Sequence, residues 1–89
     1  MLHATLKIVN PLGLHARAAS KFVNLAKTFE AGVNLGKDGN MADGKSIMNV
    51  MLLAAPVGSE VELEVSGRDE DEAFAALRSL IDDGFGELD

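Results

Sequence analysis

The first third of the chain changes from a two-residue to a helical repeat of apolar positions. Over residues 2–9 apolar and polar side chains alternate, which predicts a strand with one buried face. Proline and glycine interrupt the pattern at residues 10–13. From Ala16 to about Lys27 the apolar positions recur every three or four residues, which predicts an amphipathic helix with an inner face of Ala19, Phe22, Val23 and Ala26.

A second pair of strands follows. Val33 and Leu35 begin a strand, and Met41 and Ala42 lie on the returning one. Between them Asp38-Gly39 is a strong hairpin signal, because a type I′ turn requires positive φ at both central positions.

Residues 47–55 form an apolar stretch that Asn49 interrupts and Pro56 and Gly58 end. It predicts a short helix with Ser46 as its N-cap. One face of this helix would carry Ile47 and Val50, with Leu53 and Ala54 as further candidates.

The remaining apolar side chains of that helix point elsewhere: Met48, Met51 and Leu52. Exposed methionines make an adaptable docking surface. The alternative is a thoroughly buried helix, and the sequence leaves both open.

The last segments repeat the strand and helix patterns. Glutamates alternate with apolar residues from Glu60 to Val65, which predicts a strand with one solvated face. The spacing of Asp69 and Glu72 predicts a capping box at the start of a helix. The inner face of that helix consists of Phe74, Leu77, Leu80 and Ile81, and Gly84 ends it.

The predicted order is β-α-β-β-α-β-α in one domain over residues 1–89. One solvated sheet face and two long amphipathic helices predict an α+β fold, with an antiparallel sheet covered on its other face by helices.

Composition excludes several classes of protein. The 89 residues contain no cysteine, which excludes a disulfide framework, a thiolate metal site and a thiol nucleophile. No apolar run approaches the roughly 20 residues that span a bilayer, and no signal peptide is recognised, so we expect a cytoplasmic protein without membrane insertion. A net charge of −6 and only four aromatic residues, all Phe, argue against nucleic-acid binding.

The net charge conceals an asymmetry. Residues 1–45 carry six basic and three acidic residues, a net +3, whereas residues 46–89 carry two basic and eleven acidic residues, a net −9. The split indicates that any anion is handled by the N-terminal half. The alternative is that the asymmetry arises by chance and from a solvated acidic helix in the C-terminal half.

The candidate chemistry lies at Gly13-Leu14-His15-Ala16-Arg17, where the first loop becomes the first helix. His15 would be at or next to the N-cap, beside backbone N–H groups that can bind an anion. The positive end of the helix favours a neutral, nucleophilic imidazole, and the Arg17 guanidinium suits phosphate oxygens. These groups could attack a phosphoryl group and hold it, and Lys21 and Lys27 would extend the positive field.

The alternatives are that His15 is a surface histidine that only caps the helix and that Arg17 is an ordinary surface residue. His3 fits a plain surface role on the outer face of the first strand. The two histidines are far apart in sequence, and no cluster has metal-ligand spacing, so no metal site is expected.

The Gly13 to Arg17 motif, followed about thirty residues later by Lys45-Ser46-Ile47-Met48, resembles the HPr family over essentially the whole chain. These are histidine-containing phosphocarriers of the bacterial phosphoenolpyruvate-dependent sugar phosphotransferase system. The resemblance implies an open-faced β-sandwich with a four-stranded antiparallel sheet. It implies that Nδ1 of His15 accepts a phosphoryl group from Enzyme I, with help from Arg17, and that IIA domains of sugar permeases receive it. Such a protein is a carrier without a cofactor, not an enzyme with independent turnover.

The resemblance also implies a regulatory site and a docking surface. Ser46 matches a position phosphorylated by a dedicated serine kinase, or kinase/phosphorylase, in some bacteria. The expected monomer would dock its partners through residues of the first two helices: Ala16, Ser20, Lys21, Lys27, Ile47, Met48, Met51 and Leu52. The alternative function is a regulatory binding module of the nitrogen-related phosphotransferase branch, which signals by its phosphorylation state.

The motif departs from the family at one position. Ala18 stands where the family usually has proline. Alanine is a good helix former, so the helix should survive, with less local stiffness beside the phosphate site.

Overall fold

Four antiparallel strands form one sheet in the computed structural model, which describes residues 1–87. The strands are β1 (Leu2–Lys7), β2 (Gly32–Lys37), β3 (Asn40–Asp43) and β4 (Glu60–Ser66), in the spatial order β1-β4-β2-β3. Leu6 pairs with Val61 across β1 and β4, and Leu35 pairs with Leu63 across β2 and β4. This register places the buried apolar strand positions on one face, as the alternating sequence predicts, whereas Met41 of β3 lies on the other face and is exposed.

The helices cover that apolar face. They are α1 (Ala16–Ala26), α2 (Ile47–Met51) and α3 (Glu70–Asp82), followed by a 3₁₀ turn at Gly84–Gly86. The predicted inner face of α1 is fully buried, and Leu77 and Ile81 of α3 are buried with it, while Phe74 and Leu80 pack at the edge of the core. The predicted α+β architecture and element order are therefore confirmed.

The predicted hairpin joins β2 to β3. Asp38 and Gly39 have φ values of 54° and 84°, as a two-residue turn of type I′ requires. Met41 and Ala42 lie on the returning strand, and Ala42 points into the core.

The second helix is shorter than predicted. It begins after the N-cap Ser46, as expected, but ends at Met51 instead of continuing to residue 55. The N–H groups of Leu53 and Ala54 bond three residues back, and Ala54 adopts a left-handed φ of 50°. This turn lets the Ala55 carbonyl accept the Leu14 N–H at 2.8 Å, a tertiary bond that local sequence does not specify.

The predicted capping box at α3 is wrong. Asp69 occupies the N-cap position, but its side chain does not bond to its own helix. Its carboxylate instead accepts the backbone N–H groups of Glu30 at 3.0 Å and Ala31 at 2.8 Å. These bonds hold the pKa of Asp69 below its usual range, chiefly through the Glu30 N–H. Asp69 therefore fastens the loop before β2 to the start of α3.

Among residues 1–87, no helix combines the length and the apolar character needed to cross a membrane.

Candidate functional site

His15 is the N-cap of α1, as the sequence predicts. Its backbone is extended, with φ −81° and ψ 179°, and its carbonyl accepts the first helical N–H, from Ala19, at 2.8 Å. The side chain turns back over the helix start, where Nδ1 accepts the Arg17 backbone N–H at 3.3 Å. Nδ1 therefore lies at the positive end of the helix, where backbone N–H groups can bind an anion.

The loop before His15 is fixed by a left-handed glycine. Gly13 has a φ of 66°, and its N–H bonds to the Asn10 carbonyl at 3.0 Å. A Cβ atom at this position would lie 2.6 Å from the Ala55 carbonyl oxygen. Glycine is thus needed both for the turn and for the close approach of the segment after α2.

The other imidazole nitrogen contacts Glu87, a residue that the sequence analysis did not identify. Nε2 lies 2.8 Å from each of the two carboxylate oxygens. A carboxylate is only an acceptor, so Nε2 carries the proton. Nδ1 accepts an N–H and is therefore unprotonated. Both contacts favour the same neutral tautomer, with its free lone pair on Nδ1.

Glu87 is itself held by Asn10, a second residue that the sequence analysis missed. The fully buried Asn10 side chain donates from Nδ2 to the Gly13 carbonyl at 2.7 Å and to Glu87 Oε1 at 3.0 Å. The hydrogen bond with His15 is the main reason why the pKa of Glu87 lies below its usual value. The Asn10 hydrogen bond and the Lys21 charge act in the same direction, while partial burial opposes them.

Arg17 extends beside the histidine and is exposed. Its guanidinium makes no ion pair within the described residues. It lines an open depression of about 630 Å³ together with Pro11, Leu12, His15, Ala16 and Glu87. A phosphoryl group on Nδ1 would therefore lie close to the planar Arg17 guanidinium, which has no ion-pair partner among the described residues.

The predicted basic residues do not all gather here. Lys21 belongs to the site, because its ammonium donates to the Phe85 carbonyl at 2.7 Å, next to the segment that carries Glu87. Lys27 is the C-cap of α1, about 18 Å of helix rise away from His15. Lys45 donates to the Phe29 carbonyl at 2.8 Å. Lys21 therefore adds to the positive field near His15 and Arg17, as expected, whereas Lys27 lies at the far end of the helix.

The apolar side chains of α2 are largely solvent-exposed, so the alternative of a thoroughly buried helix is wrong. Met48 and Leu52 are 67% and 75% exposed, and Met51 is 40% exposed. Ile47, expected on the inner face with Val50, is 39% exposed, and only Val50 is buried. We refer to Ile47, Met48, Met51 and Leu52 as the α2 patch.

The remaining predicted residues lie at the surface. Ser46 is half-buried at the start of α2, where Oγ accepts the Asn49 N–H at a long 3.5 Å. Ala16 and Ser20 lie one turn apart on α1, exposed and half-exposed. His3 is on the outer sheet face, with Nε2 3.4 Å from Glu62, and takes no part in the site.

One sequence signal pointed toward Glu87. Gly84 and Gly86 follow the last apolar position of α3, a spacing typical of a turn that redirects the chain. The sequence pattern predicted Gly84 only as the end of the helix. Asn10 carried no signal beyond its place in a breaker cluster.

Comparison with known proteins gives concordant matches. The family described as "PTS HPr component phosphorylation site" matches residues 2–83. The phosphocarrier protein HPr of Cupriavidus necator is 51% identical over 87 residues, 98% of both chains. The crystal structure of HPr-C-His from Thermoanaerobacter tengcongensis superposes with a TM-score of 0.93 at 42% identity, covering 98% of both chains. An HPr dimer from that organism gives a TM-score of 0.78 at 42% identity, covering 98% of this chain and 100% of the other.

Proposed function

Since the chain belongs to the HPr family, the phosphocarriers of the phosphotransferase system, we propose that it accepts a phosphoryl group from Enzyme I on His15 and passes it to IIA domains. The observation that carries this proposal is the state of the imidazole. Its unprotonated Nδ1 lies at the N-terminus of α1, beside an Arg17 side chain without an ion pair in the described residues.

The proposed step is a direct displacement. The Nδ1 lone pair forms a bond to phosphorus, and the bond between phosphorus and the Enzyme I donor atom breaks with its electron pair left on the donor. The Arg17 guanidinium and the first backbone N–H groups of α1 neutralise the phosphoryl oxygens. Transfer to a IIA domain is the same displacement with His15 as the leaving group. The protein is thus a carrier and has no independent turnover.

The test is labelling with Enzyme I and radioactive phosphoenolpyruvate. We expect an acid-labile phosphate on the wild-type protein and none on His15→Ala. His3→Ala is the matched control, because it removes the other histidine of the chain from an exposed strand position and should label fully. Acid-labile phosphate on His15→Ala would contradict the assignment.

We propose that partners dock on the α2 patch and on four residues of α1 and its C-cap: Ala16, Ser20, Lys21 and Lys27. The exposure of Met48 and Leu52 supports this surface, because flexible apolar side chains adapt to more than one partner. Met48→Asp should slow transfer from Enzyme I without loss of stability. Met41→Asp, also at an exposed methionine but on β3, is the control and should transfer normally.

Ser46 is proposed as a regulatory phosphorylation site. Within residues 1–87 its hydroxyl makes only one long contact, and a phosphate at a helix start is electrostatically tolerated. Incubation with ATP and the serine kinase of the source cell, followed by mass spectrometry, should find one phosphate, lost in Ser46→Ala. Modification at another residue, or none, would leave Ser46 as a helix cap.

Transport and regulation use the same histidine, so a donor assay separates them. We expect the phosphorylated protein to donate to a sugar-specific IIA domain. Failure with every IIA domain of its own cell, together with binding to a regulator, would favour the regulatory module.

We further propose that the protein acts as a cytoplasmic monomer. Light scattering after size exclusion should give the 9.4 kDa mass of one chain. The dimer known for a relative is the alternative that this measurement detects. Cell fractionation tests the location.

A further inference from the structure

We propose that Glu87 is a positioning residue for phosphoryl transfer: its carboxylate keeps the proton on Nε2 of His15 and stabilises the ring once Nδ1 is phosphorylated. This inference rests on the proposed function of His15. Glu87 lies after the end of the family match at residue 83, so the match itself assigns it no role.

The hydrogen-bond geometry around His15 selects one tautomer of its ring. Both carboxylate oxygens of Glu87 lie 2.8 Å from Nε2, so this nitrogen has an acceptor on its outer side whichever oxygen is used. A free imidazole exchanges its proton between the two nitrogens, and a fixed acceptor at one of them selects a tautomer. With the proton on Nε2, the lone pair needed for attack is always on Nδ1.

The Glu87 carboxylate is held in place from one side by a buried amide. Asn10 is fully buried and donates to Glu87 Oε1 at 3.0 Å and to the Gly13 carbonyl at 2.7 Å. One side chain therefore connects the loop that positions His15 to the residue that contacts its ring. A group held by such supporting hydrogen bonds keeps its orientation during a reaction.

The backbone turn before Glu87 has an unusual conformation. Gly84, Phe85 and Gly86 have consecutive left-handed φ values of 61°, 56° and 76°. Left-handed φ is unfavourable for phenylalanine and persists only where other contacts enforce it. Here the Phe85 ring is 1% exposed in the core, and its carbonyl accepts the Lys21 ammonium at 2.7 Å. The turn is thus anchored at the residue before the last glycine, and Glu87 projects back onto His15.

The chemistry of the step uses this contact. When the Nδ1–phosphorus bond forms, the ring retains its Nε2 proton and takes a formal positive charge. The hydrogen bond from Nε2 to the Glu87 carboxylate, in which only the acceptor was charged, then joins two opposite charges and becomes stronger. A carboxylate can orient and stabilise an imidazolium in this way without accepting its proton.

The Glu87 carboxylate also repels the negatively charged phosphoryl group, but over a longer distance than its contact with Nε2. The carboxylate touches the ring at Nε2, whereas the phosphoryl group would be on Nδ1 at the other side of the ring. Lys21 and Arg17 add two positive charges near the site. The direct contact therefore outweighs the more distant and partly neutralised repulsion.

The test compares Glu87→Gln, which removes the charge, with Glu72→Gln, an exposed glutamate of α3, as the matched control. Imidazole ¹⁵N NMR of the unphosphorylated proteins measures the tautomer. We expect the Nε2–H form in the wild type and the control, and a mixture in Glu87→Gln, whose amide can either accept or donate. Glu87→Asp should restore part of the wild-type spectrum.

The second measurement is the transfer equilibrium with Enzyme I. Loss of the charge-assisted bond should shift this equilibrium about fivefold toward Enzyme I in Glu87→Gln and leave Glu72→Gln unchanged. A wild-type tautomer together with a wild-type equilibrium in Glu87→Gln would overturn the inference. If instead the wild-type protein takes no phosphate on His15, the proposed function fails, and the tautomer measurement still tests the positioning role separately.

Discussion

Asn10 donates a hydrogen bond to Glu87 at 3.0 Å across 77 positions of sequence. The same amide donates to the Gly13 carbonyl, so the segment that follows α3 is connected to the loop that precedes α1. His15 lies between these two segments and contacts Glu87 directly. The candidate site is therefore assembled by the tertiary fold and not by the helix start alone.

Asn10→Ala tests this connection. The substitution leaves the Gly13 carbonyl without its donor, and a buried unpaired polar group costs about 1–3 kcal/mol. Asn10 Oδ1 has no partner in the described structure, so nothing is lost there, and we expect the lower part of that range. Urea unfolding measures the change, with the exposed Asn34→Ala as control. A variant as stable as the control would show that the Asn10 bonds do not contribute.

Gly13→Ala should destabilise the protein by about 1–3 kcal/mol, because alanine at a φ of 66° is strained and its Cβ would meet the Ala55 carbonyl at 2.6 Å. Gly58→Ala is the matched control. Gly58 also has a positive φ, of 89°, but open space where a Cβ would be. The control should lose less stability in thermal unfolding. Equal losses would mean that strain alone accounts for the effect, without the contact to Ala55.

Phe85→Ala tests the anchor of the C-terminal turn. Removal of a fully buried phenylalanine ring costs about 3–5 kcal/mol. We expect the Nε2–H tautomer of His15 to be lost as well, because Glu87 depends on this turn. Phe74→Ala, at a partly buried position of α3, should cost less and leave the tautomer unchanged. Retention of the tautomer in Phe85→Ala would separate Glu87 from the anchor.

Asp69 predicts how stability depends on pH. Its pKa is lower in the folded than in the unfolded chain, so around and below the usual value of 3.8 the unfolded state binds more protons. Its stabilising contribution is fully present above that value and is lost as the pH falls through the folded pKa. In Asp69→Asn the decrease of unfolding free energy below pH 4 should be shallower, and stability at pH 7 lower. Asp71→Asn, exposed in the first turn of α3, should retain the wild-type slope.

The elements that the sequence predicted are those with local periodicity. The strands β1 and β4 and the helices α1 and α3 each present one apolar face, and that pattern fixes both their type and their buried side. The N-cap position of His15 was also predicted from a local pattern, because a proline and a glycine interrupt the chain just before the helical repeat begins. The turn at Asp38 and Gly39 was predicted because this pair of residue types accepts the positive φ values that a type I′ turn requires, and both residues have positive φ in the structure.

The features that the sequence missed depend on contacts between distant segments. The spacing of Asp69 and Glu72 is typical of a capping box, but the Asp69 carboxylate instead accepts hydrogen bonds from two backbone N–H groups of the loop before β2. The contact of Glu87 with His15 spans 72 positions and depends on where the Phe85 ring packs. Hydrophobic periodicity carries no information on such polar pairs. The charge asymmetry also pointed away from Glu87, because this residue belongs to the acidic C-terminal half of the chain, which was not expected to bind an anion.

Ala18→Pro introduces the proline that the resemblance to the family leads us to expect at this position. The helical hydrogen bonds begin with the Ala19 N–H, which donates to His15, so a proline at residue 18 removes none of them. A fixed φ also lowers the entropy of the unfolded chain, and compatible prolines stabilise by about 0.4–1 kcal/mol. We expect this gain in urea unfolding, with a stiffer helix start and faster transfer from Enzyme I. Ala19→Pro is the contrasting variant: it removes the first helical bond and should cost about 3 kcal/mol. A similar loss in both variants would mean that the buried space around Ala18 does not accept the proline ring.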